Sequence, residues 1–441
     1  MLRSTWLACL MGLLALLVLV NLVTDFRLDL NYGWDVRVNC AAVEAHVGGL
    51  DPYYVKNLKG TKLSYPYLPV TLDVFRPLCA GGFLLAHYRG VYLALAVLCA
   101  LSLPGLGKTG RGLRDMFVRV LSVLGAFIGF EWLSADGNFA IFSGLLTAVA
   151  LALLLGGGPA EAQDPRTFWM RVIGAAVLGL VTSFKLVFCP VLAALYFLPL
   201  PRPRKLILIA VAAGSFALPI LISTVFYADL FSSWLSAISG RIPEQHSIYQ
   251  ADSNQSLLRL AGVLAEHVGV ADIKLLVFTA YGLAATTLVL APFAGCVLRA
   301  IRQQASPAAG SFLTRLDRWL MDHPHQAMRI TVLSMYALYL CSPRLKEYAF
   351  FELAVYAAVL IVDLSPLAIA AVLTSAIALP TIASILGNAF VDSFGQASAA
   401  LVCFWILLLD FRASPDLSAA GPLQGDSAGP VPGLRRSLIS D

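Results

Sequence analysis

Residues 68–86 read LPVTLDVFRPLCAGGFLLA, and residues 90–104 read GVYLALAVLCALSLP. Both stretches are apolar, and the side on which every later loop falls depends on which of them crosses the bilayer. The first carries Asp73 and Arg76, each of which costs about 2.5–3.5 kcal/mol at the centre of a spanning helix. The second carries no charge. Pro66–Ala86 therefore reads as a helix lying along the outer interface, and Gly90–Pro104 as the second span.

The run before these stretches, Trp6–Val23, is broken only by Asn21. It is longer than the ~7–15 apolar residues of a signal peptide, and no small-x-small cleavage site follows, so it reads as the first span. Further spans are expected at Met116–Leu133, Phe139–Leu155, Phe168–Ser183, Leu186–Leu200, Leu206–Phe226, Leu275–Leu298, Ile330–Cys341, Tyr348–Val362, Pro366–Leu386 and Ala397–Leu409. Of the 441 residues, 59% are hydrophobic and 13% charged, with a mean hydropathy of +0.79. That charged share is about half the ~25% of a soluble domain, as expected for helices matched to a ~30 Å hydrocarbon layer. The expected fold is an all-α integral membrane bundle of about twelve transmembrane helices, with both termini inside.

Basic residues set the orientation. Lys108, Arg111 and Arg114 share one short loop; Arg202, Arg204 and Lys205 share another; Arg299, Arg302, Arg315, Arg318 and Arg329 cluster in a third. The positive-inside rule places all three in the cytoplasm. The net charge of +5 is thus topological and implies no nucleic acid partner. Residues 1–411 read as one transmembrane domain, with outer loops at 24–87 and 227–274. The tail from 412 to 441, rich in Gly, Pro, Ser and Asp, reads as a disordered cytoplasmic segment. The eight cysteines show no CxxC and no metal-ligand spacing, and most lie within apolar runs. Neither a zinc site nor a disulfide framework is expected of them.

The outer face gathers chemistry that a simple anchor has no use for. The first loop holds Asn31-Tyr32-Gly33-Trp34-Asp35, Gly49-Leu50-Asp51-Pro52-Tyr53 and Tyr65-Pro66-Tyr67. Later outer turns add Asp136-Gly137-Asn138, Lys185, Asn254-Gln255-Ser256 and Ser342-Pro343-Arg344-Leu345-Lys346. A carboxylate at such an interface can act as general base toward a hydroxyl, and Lys and Arg can bind a lipid-linked phosphate and stabilise it as a leaving group. Tyr53, Tyr65 and Trp34 suit an interfacial aromatic belt or a platform for stacking a sugar. Lys56, Lys59 and Lys62 read as a solvated or headgroup-binding face.

The order of these motifs resembles glycosyltransferase family 87, the GT-C-fold mannosyltransferases that depend on polyprenyl-phosphate mannose. The family's D-x-x-x-Y/N-x-A-A reads here Asp35-Val36-Arg37-Val38-Asn39-Cys40-Ala41-Ala42. Its G-x-D-P-Y is Gly49 to Tyr53, and its Y-P-P begins at Tyr65 but has Tyr67 in the third place. Gly137-Asn138, Lys185, Asn254-Gln255-Ser256 and Ser342-Pro343 follow in the family's order, with Asn138 where the family has glutamine. The family's histidine-bearing segment is replaced by Arg344-Leu345-Lys346-Glu347-Tyr348, so permanent charge stands in place of a titratable imidazole.

The resemblance implies a GT-C-type bundle in the inner (plasma) membrane with its active site facing the periplasm. It implies inverting transfer of a hexose, foremost mannose, from a polyprenyl phosphate to a lipid or glycan acceptor. Asp35 is the expected catalytic base. Lys185, Arg344, Lys346, Asp136, Asn138, Tyr53, Tyr65, Asn254 and Gln255 form the expected substrate-binding set, although Asn254-Gln255-Ser256 also reads as a hydrogen-bonded loop. No metal or other cofactor is expected. The rival readings are a transporter or flippase, and a non-catalytic partner in envelope polysaccharide assembly. Transporters favour internal repeats and ionisable residues at the midplane, whereas no repeat is visible here and the ionisable residues gather at the outer interface. Reporter fusions test the topology: a fusion at residue 110 is expected to report the cytoplasm and one at residue 240 the exterior. A fusion at 110 that faced outward would overturn the placement of Pro66–Ala86.

Overall fold

A backbone in hydrocarbon must pair every N–H and C=O within the chain, so long apolar runs fold as helices. The computed structural model describes residues 2–27, 33–106, 112–156, 164–242, 254–270, 273–304, 311–386 and 389–413. The expectations placed on Asn31, Tyr32, Lys108, Arg111 and the tail from 414 onward lie outside the described residues, as does much of the second outer loop.

Among the described residues, nineteen α-helices follow in order. The first four are α1 (Leu2–Arg27), α2 (Trp34–Val47), α3 (Thr71–Cys79) and α4 (Phe83–Ser102). Next come α5 (Leu113–Gly125), α6 (Gly129–Asp136), α7 (Ala140–Leu155), α8 (Pro165–Ser183), a 3₁₀ stretch Leu186–Phe197 and α9 (Arg202–Phe226). The middle contains α10 (Ala228–Ile238), α11 (Leu257–Val268), α12 (Lys274–Ala285), α13 (Ala291–Gln304) and α14 (Phe312–Asp322). The chain closes with α15 (Pro324–Leu340), α16 (Phe350–Ile361), α17 (Pro366–Leu373), α18 (Leu379–Leu386) and α19 (Ala389–Ala413).

Among the described residues, six helical stretches are long and apolar enough to cross a membrane: Thr5–Thr24, Thr71–Ser102, Leu113–Asp136, Arg202–Phe226, Lys274–Arg302 and Ser393–Arg412. The protein is therefore an all-α polytopic membrane protein. Several other expected spans are shorter helices packed inside the bundle. Every residue of α16 is buried, so its length answers to its protein neighbours and not to the hydrocarbon thickness alone.

The stretch from Leu68 to Ala86 divides as its charges demand. On α3, Thr71, Leu72 and Phe75 are buried while Asp73 and Arg76 are exposed. Gly81 and Gly82 both take φ 68°, a conformation open to glycine, and they separate α3 from α4. The span that follows starts at Phe83, earlier than the Gly90 expected. The segment before it is braced by residues at and after the end of α9: the Tyr227 hydroxyl donates to Asp73 on α3, and the Trp234 indole donates to the Pro66 carbonyl at 3.2 Å.

One expectation about the cysteines is corrected. Cys40 on α2 and Cys79 at the end of α3 form a disulfide with a Cα–Cα separation of 5.3 Å. The reason is tertiary: α2 and α3 pack together and bring two residues 39 apart in sequence within bridging distance, which no local spacing reveals. Closing a loop of this length removes ~4 kcal/mol of chain entropy from the unfolded state in the simplest treatment.

Between α5 and α6 the chain turns through two left-handed residues, Phe127 at φ 59° and Ile128 at φ 52°. For non-glycine residues this costs ~1–2 kcal/mol each, most of all for a β-branched side chain. Phe127 is fully buried, and its carbonyl accepts from Gln396 Nε2 at 2.5 Å. At the opposite end of the bundle, buried Lys205 pairs with Asp317 at 2.8 Å and Arg329 with Asp410 at 2.9 Å. In the unfolded, unreduced protein a maleimide is expected to label six of the eight cysteines, and all eight after reduction. Labelling of eight before reduction would contradict the bridge.

Candidate active site

Two glycines allow the elements of the site to meet. Gly33, at φ 88°, begins the approach to α2 and donates its N–H to the Ala135 carbonyl at 2.8 Å. Gly137, at φ 68°, ends α6, and a Cβ there would lie 2.9 Å from Val36 Cγ1. Any larger residue at 137 would push α2 away from α6. With glycine there, the first turn of α2 lies against the end of α6, and Asn138 Nδ2 donates to Asp35 Oδ2. Asn138 is itself buried, and its Oδ1 accepts the Ala140 N–H at 2.8 Å. The amide is thereby fixed in the orientation that presents NH₂ to the carboxylate.

The cations arrive from two directions. Lys185 follows the end of α8 and extends its Nζ over the Tyr348 ring, 4.1 Å from the centroid, a favourable position for an ammonium. Arg344 and Lys346 lie on the segment between α15 and α16. That segment is pinned by residues 254–256: Asn254 pairs with Lys346 in an isolated antiparallel bridge, and Gln255 N–H donates to the Leu345 carbonyl at 2.7 Å. Asn254 Oδ1 accepts the Leu345 N–H at 2.9 Å, and Ser256 Oγ donates to the Pro343 carbonyl at 2.7 Å.

Burial raises the Asp35 carboxyl above its usual value, while the Asn138 hydrogen bond and the charges of Lys346, Lys185 and Arg344 pull it back down. Burial likewise pushes the Lys185 ammonium down to about 7; the Asp35 carboxylate opposes this, Arg344 adds to it, Glu352 opposes it and Lys346 adds to it. The Asp35 carboxyl, raised above its usual value, and the Lys185 ammonium, lowered to about 7, thus act on each other. Such displaced pairs are typical of sites that move protons or bind charge.

Beside them lies a cavity of about 300 Å³. Its wider wall is apolar, from Val74, Phe75 and Leu78 on α3 to Phe139, Leu146 and Phe188, while Lys185, Thr147, Tyr348 and Glu352 supply polar groups. Val74 and Leu146 are 50% and 40% exposed, whereas Glu352 and Tyr356 are 6% and 2% exposed. The cavity therefore has an apolar side that reaches the surface and a buried side that carries charge.

Asp35, Asn138, Lys185, Arg344 and Lys346, all expected from the sequence, gather around one point. Asp136 joins them: it is 7% exposed, takes a hydrogen bond from the Trp34 indole, and its Oδ1 has no hydrogen-bond partner among the described residues. Tyr53 and Tyr65 are fully buried and present no open ring face. Tyr53 donates its hydroxyl to the Tyr67 carbonyl at 2.7 Å, and the Tyr65 ring meets Tyr67 edge-on at 5.6 Å, so both prop Tyr67, which lines the cavity. Asn254 and Gln255 are buried too, with their amides used on the 342–346 segment and on Gln396.

Tyr67, Tyr348, Glu352 and Gln396 were not anticipated as parts of the site. Glu352 had a signal, being a lone acid in the apolar run Tyr348–Val362, and an ionisable residue inside a span reads as functional by default. It accepts from Thr147 Oγ1 at the cavity wall. Gln396 had none, since one amide in a small-residue stretch carries no pattern.

A family model described as glycosyltransferase family 87 matches residues 65–320. No curated protein and no solved structure matches the chain. Because Lys185 is cationic below about pH 7 and neutral above it, binding of a simple anionic amphiphile such as dodecyl phosphate is expected to weaken as pH rises through 7. Asp35→Asn, which removes the carboxylate that keeps Lys185 protonated, is expected to move that transition to lower pH. An unshifted transition would contradict the coupling.

Proposed function

The chain belongs to glycosyltransferase family 87 and is a membrane glycosyltransferase, and on that premise we propose that it moves a hexose, foremost mannose, from a polyprenyl phosphate to a lipid or glycan acceptor. The observation that supports this most is the facing of one carboxylate, Asp35, and three cations, Lys185, Arg344 and Lys346, beside a cavity with apolar walls. The isoprenoid chain enters across the apolar side formed by α3 and α7. Its phosphate meets Lys185, Arg344 and Lys346. Asp35 removes the proton of the acceptor hydroxyl, the freed oxygen attacks the anomeric carbon from the face opposite the phosphate, and the bond from that carbon to the phosphate oxygen breaks with its electron pair leaving on the phosphate. Configuration is inverted.

Each part has a physical reason. Negative charge grows on the departing phosphate oxygen, and fixed cations in a site of low dielectric stabilise it more than water does. Asn138 orients the Asp35 carboxylate, and the buried Asp136 oxygen accepts a hydroxyl of the bound sugar. Glu352, on the far side of Lys185, holds the ammonium in place before the phosphate arrives. Tyr67 and Tyr348 form the wall on which the sugar rests, with Tyr53 and Tyr65 behind Tyr67.

In this reading the bundle is of GT-C type with about twelve spans, six of them the long apolar stretches and the rest the shorter helices packed between them. Residues 1–411 form one membrane domain with the site on the periplasmic side of the inner membrane, and the tail from 412 lies in the cytoplasm. The Cys40–Cys79 bridge favours that orientation, since disulfides persist in the oxidising periplasm. Purified Asp35→Asn protein is expected to transfer mannose from polyprenyl-phosphate mannose at least ~10²-fold more slowly than wild type. Turnover within a few-fold of wild type would remove Asp35 from the role of base.

A further inference from the structure

The base and the cations of the site belong to separate elements. Asp35 and Asn138 depend on where α6 ends. Arg344 and Lys346 depend on residues 254–256. The halves touch where α6 packs against residues 347–351, and a buried pair of amides adds a hydrogen-bonded link between them.

Gln255 Nε2 donates to Gln396 Oε1 at 2.6 Å, and Gln396 Nε2 donates to the Phe127 carbonyl at 2.5 Å. The Ala397 N–H returns to Gln255 Oε1 at 3.4 Å. Gln255 and Gln396 are 5% and 4% exposed, so neither amide has water as an alternative partner. On one side, Gln255 N–H holds the Leu345 carbonyl, between Arg344 and Lys346. On the other, Phe127 is the first of the two left-handed residues from which α6 departs, and α6 leads through Ala135 and Gly137 to the contacts that seat Asp35 and Asn138.

The location of the strain is informative. A left-handed Phe127–Ile128 pair persists only where its surroundings hold it, and the hydrogen bond to Gln396 falls on that pair. Were the kink to relax, α6 would swing and carry Asn138 away from Asp35. An apolar residue at 396 would leave the Phe127 carbonyl and the Gln255 amide unpaired in a dry interior, which buried polar groups do not tolerate.

We propose that Gln396 is a positioning residue for the transfer step: through Gln255 and the Phe127 carbonyl it fixes the separation between the Asp35 side of the site and the Arg344–Lys346 side. The proposal rests on the reading of Asp35 as base and of those cations as phosphate ligands. Gln396 touches no substrate. Its effect falls on the alignment of acceptor oxygen, anomeric carbon and phosphate, and not on capture of the donor.

The experiment compares wild type with Gln396→Leu, Gln255→Leu, the double variant and Ile128→Gly, using polyprenyl-phosphate mannose as donor, with melting temperature recorded for each. Gln396→Leu is expected to lower kcat by about 10- to 100-fold with the donor KM within about twofold, because misalignment costs rate and not ground-state binding. The double variant is expected to be no slower than the slower single one, as for members of one network. In an Asp35→Asn background, Gln396→Leu is expected to leave the residual rate unchanged. Ile128→Gly serves as the control, since glycine suits the left-handed conformation and keeps the kink: kcat is expected within about twofold of wild type and the melting temperature no lower.

Hydrogen exchange supplies a reading independent of turnover: in Gln396→Leu, exchange is expected to rise together in residues 129–138 and 342–346. Wild-type kcat in Gln396→Leu, losses that multiply in the double variant, or a kcat that falls only in step with melting temperature would each overturn the positioning role. A wild-type protein that transfers no mannose would instead overturn the reading of the site, and the positioning role with it.

Discussion

A carboxylate and three cations, each partly withdrawn from solvent, are brought together beside one cavity, and much of the structure around them exists to make that arrangement tolerable. Removing an isolated charge from water costs several kcal/mol even after relaxation. Burial moves the Asp35 carboxyl up and the Lys185 ammonium down, and the attraction between the two opposes each shift. The geometry must then be tight, because an ion pair offsets desolvation only when it is well placed. Asn138, Gly33 and Gly137 supply that placement for Asp35, and the antiparallel bridge between Asn254 and Lys346 supplies it for the cation segment.

The same constraint explains where rigidity is spent. The disulfide between Cys40 and Cys79 joins the helix that carries Asp35 to the helix that walls the cavity. Tyr53, Tyr65 and Tyr67 form a buried aromatic cluster of tilted and edge-on contacts, with ring centroids 5.8 and 5.6 Å apart. By contrast, the wall around Val74 and Leu146 is exposed and apolar, as a surface that meets lipid must be. Order sits with the charges, and access lies toward the membrane.

The sequence made the membrane character legible because hydrocarbon imposes one rule on every residue of a span. Asp73 and Arg76 set Leu68–Ala86 apart from the apolar run after it, and the exposed face of α3 carries both. Even so, α3 and α4 together form one stretch, Thr71–Ser102, long and apolar enough to cross a membrane. Asp35, Lys185, Arg344 and Lys346 were visible as charges on one side. Their convergence was not, since it depends on the Gly137 contact and on residues 254–256 packing against 343–346. Tyr53 and Tyr65 show the limit from the other side: an aromatic residue beside a polar motif reads the same in sequence whether its ring is open or buried. The disulfide and Gln396 were hidden for one reason. Each joins elements distant in sequence, 39 residues apart in the first case and 269 between Phe127 and Gln396 in the second, and no local pattern records such a meeting.

In the proposed reading one base, Asp35, acts opposite one cluster of phosphate ligands, and that arrangement makes a stereochemical demand. On that reading, attack from the Asp35 side with departure toward Lys185 is a single displacement with one outcome at the anomeric carbon. The direct measurement is the anomeric configuration of the product, read by nuclear magnetic resonance after transfer from polyprenyl-phosphate mannose of defined configuration. The account predicts a linkage of the opposite configuration to the donor. A product that keeps the donor's configuration would contradict it.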